Sequence, residues 1–451
     1  MKILIYGDGN IGISLAANFA AGDNDVVVIA ENREKLQSLA DTLDIQIVLG
    51  KACSPSLLEE VNARSADVFI AADSCDESNI LACQVARNMF QIPLTMAYIH
   101  NYHYLSFPLS QLFAQSPSPI DHIISPEVGL AQSIVDDMSV SGATKVITIP
   151  DQKSKVYGLR IQKLSPIKDK KIGSIEGLLP SLPFRRMTIK REGAYFFADP
   201  EFVVMENDEL FVVLDENHIG SLLDAFSISN SEVKNLVLMG AGNVGFNIAT
   251  YIQEKDLDLK IKFIEFNSKR AKYIASQLSD TVVLEGSALD SALLEEANVS
   301  KADYVLALMN DDETNVLAAL LAKKAGAPLV AVLTSNLIYQ QILPSLEITR
   351  VIDPKEITIT QALASIPLHH VHLFYGFSDN QKFLCVGKVT KNSHYIGKPI
   401  TYIQSDEKVY VGGLIREHHF LVADNKTLAK AGDSIIFLAV REEIDPLTKL
   451  F

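Results

Sequence analysis

The sequence predicts an α/β protein with two Rossmann-like, doubly wound parallel-sheet domains, each followed by a small α+β C-lobe. Three observations lead to this fold class. A glycine-rich turn follows a short apolar run twice, at Gly7 and at Gly240. After each turn, apolar strand-length segments alternate with helical segments, which is typical of a parallel sheet covered on both faces. Each stretch then changes to short strands separated by Gly, Asn and Asp turns.

The repeat extends well beyond the glycine-rich turns. KILIYGDGNIG at residues 2–12 matches NLVLMGAGNVG at 235–245, and LLEEVN at 57–62 matches LLEEAN at 293–298. The tetrapeptide DESN at 76–79 falls on DETN at 312–315. Internal similarity over this span indicates a duplicated structural unit.

Strands and helices alternate along the first copy. The segment 11–21 has the pattern of a helix that Gly22 ends, and Ser54-Pro55 is a typical helix start, with Ser at the N-cap and Pro in the first turn. Further helices are predicted at 33–42 and from about residue 76. The apolar runs predict strands at 3–6, 26–29, 45–49, 68–72 and 94–99.

The strand-rich stretches run from about residue 144 to 214 and from 371 to 440. Within them, 203–211 and 427–436 each have the pattern of strand, tight turn and strand. We therefore predict four domains. They are a Rossmann-like N-lobe at 1–140, a C-lobe at 141–226, a second N-lobe at 233–367 and a second C-lobe at 368–451.

Composition narrows the class of protein. A chain of 451 residues is too long for one compact core. Forty Lys and Arg against 55 Asp and Glu give a net charge of −15, which argues against a nucleic-acid partner and against binding to a bare anionic membrane. We expect no signal peptide and no membrane span. The four cysteines lack metal-site spacing, so a reduced, cytosolic protein is expected.

The two turns have the form G-x-G-x-x-G. The first Gly allows the tight turn, the second lets a phosphate approach the backbone, and the third allows close helix–strand packing. The following helix N-terminus favours an anion. The predicted phosphate-binding residues are Gly7, Asp8, Gly9, Asn10, Ile11 and Gly12 in the first copy and Gly240, Ala241, Gly242, Asn243, Val244 and Gly245 in the second.

An acid about twenty residues further on binds the ribose hydroxyls in nucleotide-binding sites of this kind. Glu265 fits that position in the second copy. In the first copy Ala30 stands there and Glu31 comes one residue later, which on a strand places the side chain on the opposite face. The first site is therefore less certain as an NAD site, and ATP or ADP remains an alternative.

The motifs together resemble the TrkA family of tandem-RCK proteins, the peripheral regulatory subunits of bacterial Trk potassium uptake systems. The resemblance covers essentially the whole chain. Besides the glycine-rich turns it rests on SCDESN at 74–79 and NDDETN at 310–315, and on IISPE at 123–127 and VIDPKE at 351–356. These later elements are much more specific than the turns.

The resemblance implies a homotetrameric cytoplasmic ring docked on the inner face of the cell membrane under a Trk-type integral membrane potassium-translocating subunit. It also implies binding of NAD(H) and adenine nucleotides that shifts the ring between conformations. By family position, Asp73 and Ser74 lie beside the cofactor, with Met309 and Asn310 as their counterparts. Tyr98 also falls at the cofactor.

The chain departs from the family pattern at three places. Tyr98 and His100, and their counterparts Leu333 and Ser335, stand where the family often has phosphate-contacting arginines. Lys51 and Ser287 stand where an acid often follows the glycine after the third strand. These departures bear on nucleotide affinity rather than on the fold.

A regulatory, non-enzymatic role is expected, and two other functions are alternatives to it. An NAD-dependent oxidoreductase needs a substrate domain that presents a proton donor to the nicotinamide, and both small lobes are short and strand-rich. A regulatory ring of another cation transporter also fits the sequence. The histidines His369, His370 and His372 could suggest a metal site, but surface positions are the preferred interpretation. Asp76 and Glu77 are interpreted as acids that complement a helix dipole, and Cys75 as a thiol without redox function.

Overall fold

The computed structural model describes residues 1–20, 24–32, 44–100, 104, 118–150, 152–179, 182–366, 370–377, 381–405 and 408–451. These residues form two six-stranded parallel sheets and two five-stranded antiparallel sheets. Each parallel sheet precedes one antiparallel sheet along the chain. The predicted fold class is confirmed.

The first parallel sheet has the strand order β3-β2-β1-β4-β5-β6. Its strands are β1 (Lys2–Tyr6), β2 (Asp25–Ala30), β3 (Ile45–Leu49), β4 (Val68–Ala71), β5 (Leu94–Tyr98) and β6 (His122–Ile124). Its helices are α1 (Asn10–Ala20), α2 (Pro55–Glu60) and α3 (Asp76–Phe90). The helix predicted at 33–42 lies outside the described residues. Ser54 occupies the predicted N-cap position of α2, and its hydroxyl lies 3.0 Å from that of Ser56.

The strands of this sheet form because their apolar runs are buried on both faces. In β1 the four residues from Ile3 to Tyr6 are buried, and all four residues of β4 are buried. The strand order reverses at β1, which pairs with β2 on one side and β4 on the other. Ligands of open parallel sheets bind at the carboxyl ends of the strands beside such a point.

The first antiparallel sheet follows α4 (Pro126–Met138) and has the order β10-β9-β11-β8-β7. Its strands are β7 (Lys145–Thr148), β8 (Ser154–Arg160), β9 (Phe184–Arg191), β10 (Ala194–Phe197) and β11 (Glu209–Asp215). Two short helices accompany them, α5 (Ile172–Leu178) and α6 (Ile219–Ala225).

The second parallel sheet repeats the first, with the order β14-β13-β12-β15-β16-β17. Its strands are β12 (Asn235–Met239), β13 (Lys260–Glu265), β14 (Thr281–Glu285), β15 (Tyr304–Ala307), β16 (Leu329–Leu333) and β17 (Arg350–Ile352). The intervening helices are α7 (Asn243–Glu254), α8 (Ser268–Gln277), α9 (Ser291–Glu296), α10 (Asp312–Lys324) and α11 (Leu337–Ile342).

The second antiparallel sheet follows α12 (Pro354–Ala364) and has the order β18-β19-β22-β20-β21. Its strands are β18 (Val371–Gly376), β19 (Lys382–Lys388), β20 (Val409–Arg416), β21 (His419–Val422) and β22 (Ser434–Val440). Helix α13 (Arg441–Thr448) follows the last strand. Each predicted domain thus contains one sheet, while the domain limits themselves stay predictions.

The predicted strand–turn–strand segments at 203–211 and 427–436 form only in part. Their second strands are β11 and β22, but their first strands are single bridges, Lys171 to Val203 and Pro399 to Leu428. At each bend, a buried carboxylate accepts from the backbone amide three residues before it. Asp208 accepts from Met205 N at 2.7 Å, and Asp433 accepts from Lys430 N at 2.7 Å.

Each of these carboxylates also holds an arginine of the neighbouring strand. Arg191 donates to Asp208 through Nε at 2.8 Å and Nη2 at 2.6 Å, and Arg416 donates to Asp433 at 2.8 and 2.7 Å. Bidentate pairs of this kind combine strength with fixed geometry. The duplication therefore includes the small lobes at the level of single side chains.

The chain divides into two compact units that do not follow the order of the repeats. One comprises Met1–Pro126 and Lys355–Pro367, and the other comprises Glu127–Pro354 and Leu368–Phe451. Helix α4, which follows the first parallel sheet in sequence, thus belongs with the second parallel sheet. Helix α12 belongs with the first.

Arg350 on β17 fastens α4 to the second unit. Its side chain is fully buried, and it donates to the carbonyl oxygens of Asp137 at 2.7 Å, Val140 at 3.1 Å and Ala143 at 3.0 Å. Carbonyls at a helix C-terminus lack partners within the helix, and a cation there is favoured by the helix dipole. Arg350 supplies both the hydrogen bonds and the charge.

The two antiparallel sheets share a hydrophobic core within the second unit. Met187 and Phe211 of the first lobe pack in one cluster with Phe377, Leu384 and Ile436 of the second. A Cβ atom at Gly412 would lie 2.4 Å from Met187 Sδ, so the two lobes approach closely there. Among the described residues, none of the helices is both long and apolar enough to cross a membrane.

Candidate functional site

The glycine-rich turn between β12 and α7 has the geometry of a phosphate-binding loop. Gly240 has a φ of 105°, and a Cβ on it would lie 3.1 Å from the Leu308 backbone. A Cβ on Gly245 would lie 2.5 Å from the Gly240 carbonyl oxygen. At Gly242 the nearest atom to a Cβ would be Asn310 Oδ1 at 3.9 Å, so space is open there. The first and third glycines hold the turn, and the second is open to a ligand.

Glu265 ends β13 and binds this turn. Its Oε2 accepts from Ala241 N at 2.7 Å, and its Oε1 accepts from Asn267 N at 2.8 Å. The strand end is fixed beside the turn because Gly240 N donates to Ile264 O at 2.9 Å. The carboxylate therefore lies at the opening of the predicted ribose position, next to the open glycine.

Two basic residues follow Glu265 at the start of α8, and the sequence interpretation missed both. Arg270 Nε donates to Ala241 O at 2.7 Å, and its guanidinium carbon lies 5.6 Å from the Phe246 ring centre and 5.2 Å from that of Tyr273. Lys269 lines the same cleft. Cations in the first turn of a helix oppose its dipole. Two basic residues in the first helical turn after the N-cap Asn267, where they are unfavourable for the helix, were the sequence signal for this part of the site.

The cleft has a volume of 690 Å³ and is closed on its far side by residues from other elements. Met309 and Asn310, both predicted, follow β15, and Leu333 ends β16. Glu127 of α4 completes this wall. No local pattern could have assigned Glu127 to this cleft, because it comes from the part of the chain that precedes the first antiparallel sheet.

Asn315 and Asn79 explain the D-E-x-N elements of the two copies. Asn315 is buried, accepts from Met309 N at 2.7 Å, and donates to the carbonyl oxygens of Met309 at 2.8 Å and Leu333 at 3.0 Å. Asn79 is buried and makes the equivalent bonds to Asp73 N at 2.9 Å, Asp73 O at 2.8 Å and Tyr98 O at 2.9 Å. Each amide joins the carboxyl ends of two neighbouring strands. These asparagines shape the cleft floor.

The acids and the thiol next to Asn79 have structural contacts. Asp76 is buried in the first turn of α3 and accepts from His100 N at 3.0 Å, with His100 Nδ1 at 3.1 Å. A hydrogen bond from the Tyr104 hydroxyl lowers the pKa of Glu77. Cys75 is exposed at the N-cap of α3, 3.3 Å from Glu77 Oε2.

The glycine turn of the first copy matches that of the second. Gly7 has a φ of 133°, and a Cβ on it would lie 2.4 Å from Ala72 O. A Cβ on Gly12 would lie 2.3 Å from Gly7 O, whereas no described residue has an atom within 4 Å of one on Gly9. As far as the described residues show, the space above Gly9 is thus open, as it is above Gly242.

The acidic residues of the first copy are arranged differently. Gly7 N donates to Ile29 O at 3.0 Å, just as Gly240 N donates to Ile264 O. The next residue in each strand is the last one, so Ala30 on β2 is the counterpart of Glu265 on β13. Glu31 lies 3.4 Å from Lys51 Nζ and 3.5 Å from the Tyr6 hydroxyl. Burial, followed by the charges of Asp73 and Glu31, raises the pKa of Tyr6. Asp8 instead accepts from Asn32 N, at 2.9 Å.

The structure thus places the predicted residues Gly240, Gly242, Asn243, Val244, Glu265, Met309 and Asn310 around one cleft. In the first copy, Gly7 approaches the backbone of Ala72 and Asp73, and the carbonyls of Asp73 and Tyr98 share Asn79. Ser74 is exposed beside them. The binding roles of all these residues stay predictions.

The histidines noted in the sequence form no metal centre within the described residues, which hold no group of three or more His, Cys, Asp or Glu suited to a metal ion. His372 is exposed on β18, and His370 directly precedes that strand. His369 lies outside the described residues.

Known proteins resemble this chain over its whole length. The family model described as TrkA-N domain matches twice, at residues 3–126 and 236–354. The Trk system potassium uptake protein TrkA of Vibrio alginolyticus is 29% identical over 456 residues, covering 100% of this chain and 98% of its own. Its namesake from Azorhizobium caulinodans is 27% identical over 451 residues, with the same two coverages.

Solved structures show the same fold at low sequence identity. The GsuK RCK domain aligns with a TM-score of 0.61 at 15% identity, covering 99% of this chain and 94% of that chain. The GsuK channel bound to NAD aligns with a TM-score of 0.59 at 16% identity, covering 99% of this chain and 78% of that chain.

Proposed function

The chain belongs to the TrkA-N domain family, and we propose on that premise that it is a nucleotide-sensing regulatory subunit of a membrane potassium uptake system. Its partner would be a Trk-type integral membrane subunit that translocates potassium. The chain would act as a homotetrameric ring at the cytoplasmic face of the membrane. Relatives that bear the name Trk system potassium uptake protein TrkA, and that match over the full chain, support this role.

The observation that carries the proposal is the pair of glycine-rich turns in one chain. The space above Gly9 is called the first cleft, and the cleft beside Gly242 is called the second cleft. In each copy, backbone contacts of the first and third glycines hold the turn, and the second glycine faces space that no described residue fills. NAD(H), ATP or ADP would bind with its phosphates over Gly9 or Gly242 and its adenosine towards β2 or β13. A ligand shifts a conformational equilibrium only if it binds the two states with different affinity. With two clefts per chain, nucleotides could bind at several places in such a ring and shift its conformational equilibrium.

The residues proposed to bind nucleotide are those predicted from the sequence. They are Gly7, Asp8, Gly9, Asn10, Ile11, Gly12, Glu31, Asp73, Ser74 and Tyr98 in the first copy, and Gly240, Ala241, Gly242, Asn243, Val244, Gly245, Glu265, Met309 and Asn310 in the second. Arg270 and Lys269 join the second set because they line its cleft.

The test uses vesicles that contain a purified Trk-type membrane subunit. The full chain is added with NADH, ATP or ADP, and rubidium flux and co-sedimentation with the vesicles are measured. We expect the chain to sediment with subunit-containing vesicles only, and the flux to depend on the nucleotide. The double variant Gly9→Val, Gly242→Val should abolish the nucleotide dependence. Gly220→Val, at a glycine that is also open to space, serves as the matched control.

Two results would overturn the proposal. One is a flux that is the same with and without the chain. The other is steady oxidation of NADH by the chain with a matching reduced product, which would favour an NAD-dependent oxidoreductase.

A further inference from the structure

We infer that Asp8 replaces the missing strand-end acid in the first cleft and there recognises the ribose hydroxyls of an adenine nucleotide. This rests on the proposed function, since it assumes that the cleft binds a nucleotide. The starting point is a difference between the two copies. The second keeps Glu265 at the end of β13, whereas the first has Ala30 at the end of β2.

The two carboxylates bind equivalent backbone amides. Counting from the ends of β2 and β13, Asn32 is the counterpart of Asn267. Asn267 N donates to Glu265 Oε1 at 2.8 Å, and Asn32 N donates to Asp8 Oδ2 at 2.9 Å. Because one oxygen of each carboxylate is fixed to the same point of the backbone, the two groups occupy corresponding places.

The carboxylates reach this place from opposite sides. Glu265 extends from the second strand towards the turn, where Ala241 N donates to it at 2.7 Å. Asp8 stands at the position of Ala241 and extends from the turn towards the second strand. The two positions are the one after the first glycine of the turn and the one at the end of the second strand. The first copy has Asp8 and Ala30 there, and the second has Ala241 and Glu265, so each copy has one acid and one alanine.

Glu31 does not meet the same geometry. Its carboxylate lies with Lys51 Nζ at 3.4 Å and the Tyr6 hydroxyl at 3.5 Å, beyond the strand end. A carboxylate has two oxygens and about four acceptor positions. Beside the glycine-rich turn, a carboxylate at this place accepts hydrogen bonds from ribose hydroxyls, as strand-end acids do in dinucleotide sites.

An acid in this position also selects among nucleotides. It accepts hydrogen bonds from a free 2′-hydroxyl and repels a 2′-phosphate. The first cleft should therefore prefer NADH to NADPH, although it lacks an acid at residue 30. A residue that only holds the turn would not affect this preference, so the NADH-to-NADPH ratio reports on recognition itself.

The experiment isolates the first cleft by blocking the second with Gly242→Val. In the full-length chain, calorimetric titration with NADH and NADPH is compared for Asp8, Asp8→Ala and the near-isosteric Asp8→Asn. We expect both variants to lose NADH affinity by about tenfold, because a charge-assisted hydrogen bond is lost, and to lose most of the preference over NADPH. Glu59→Gln, which removes an exposed charge from the same lobe, should change neither.

A rescue in the second cleft provides an independent measurement. With the first cleft blocked by Gly9→Val, Glu265→Ala should lower NADH affinity, and adding Ala241→Asp should restore both affinity and preference. This recreates the arrangement of the first cleft in the second.

Several results would overturn the inference. Unchanged NADH affinity in Asp8→Ala would do so, and so would an equal loss for NADH and NADPH, which would mean that Asp8 only holds the turn. A failed rescue by Ala241→Asp would also count against it. If the unaltered chain bound neither NADH, ATP nor ADP, the proposed function would fail, and the inference with it.

Discussion

The two clefts proposed to bind nucleotide share their framework and differ in the side chains placed on it. Gly7 and Gly240 turn the chain in the same way, and Asn79 and Asn315 make the same three backbone bonds. The acids differ, with Asp8 on the turn in one cleft and Glu265 on the strand in the other. Duplication has kept the residues that hold the backbone, whereas the residues that would face a ligand have diverged. Four pairs of substitutions, one member in each copy, test this difference.

The largest difference between the two copies is expected in the free energy of unfolding, at the last strand of each parallel sheet. Arg350 on β17 is buried and bonds three carbonyls, whereas its counterpart His122 on β6 is exposed. Arg350→Ala should lower the free energy of unfolding by about 3 to 5 kcal/mol, since a large buried side chain is lost and its acceptors stay buried. His122→Ala should change it by less than about 0.5 kcal/mol. Urea denaturation measures both, and similar losses would show that the two strands are fastened alike.

The next effect concerns the open glycine of each cleft. Gly242→Val and Gly9→Val place a side chain where a phosphate should lie, so each should lower nucleotide affinity at its own cleft by about 100-fold, or about 2.7 kcal/mol. Stability should change little, because the space around both positions is open. Calorimetry that finds unchanged affinity for one variant would make that turn structural only.

The asparagines test whether the frameworks are energetically equal. Asn79→Ala and Asn315→Ala each remove three buried hydrogen bonds to strand ends, which should cost about 2 kcal/mol apiece. Thermal unfolding of the two variants should give matching shifts. A large difference between them would show that one framework has become dispensable.

The smallest expected effect is on NADH affinity, and it distinguishes the two acids that the sequence suggests as ribose ligands. Glu265→Ala should weaken NADH binding by about tenfold, the value of one charge-assisted hydrogen bond. Glu31→Ala should change it by less than about twofold, because Glu31 is exposed beside Lys51. Equal losses in a calorimetric titration would contradict this ranking. Glu265→Gln keeps the size of the side chain and controls for the support that Glu265 gives to the turn.

Much of the fold could be predicted because it depends on local pattern. The buried apolar runs of β1, β2 and β5 mark parallel strands in the sequence itself, and each predicted limit differs from the observed one by a residue or less. The prediction of strands beginning at residues 203 and 427 was wrong, because only single bridges form there. The burial of Asp208 and Asp433 at the bends there depends on arginines from neighbouring strands.

The candidate site was predictable where a motif lies in one segment, as in the glycine turns. It was not predictable where the site is assembled from distant segments. Glu127 reaches the second cleft from a helix that follows the first sheet, and no spacing rule connects the two. The relation between Asp8 and Asn32 depends on the register of β1 and β2, which fixes the two residues next to each other.

The placement of α4 and α12 has a consequence for the ancestry of the chain. In a protein with only one repeat, the helix that follows the parallel sheet would pack on the sheet of a second molecule. Two such molecules would therefore have to exchange these helices to complete both folds. Joining the two copies in one gene turns that exchange into an event within one chain, at an effective concentration set by the linker rather than by expression level. In a homodimer one sequence forms both clefts. After fusion each cleft has its own sequence, so the two can differ. Ala30 and Asp8 in the first copy, against Glu265 and Ala241 in the second, are the kind of difference between copies that such a covalent connection permits.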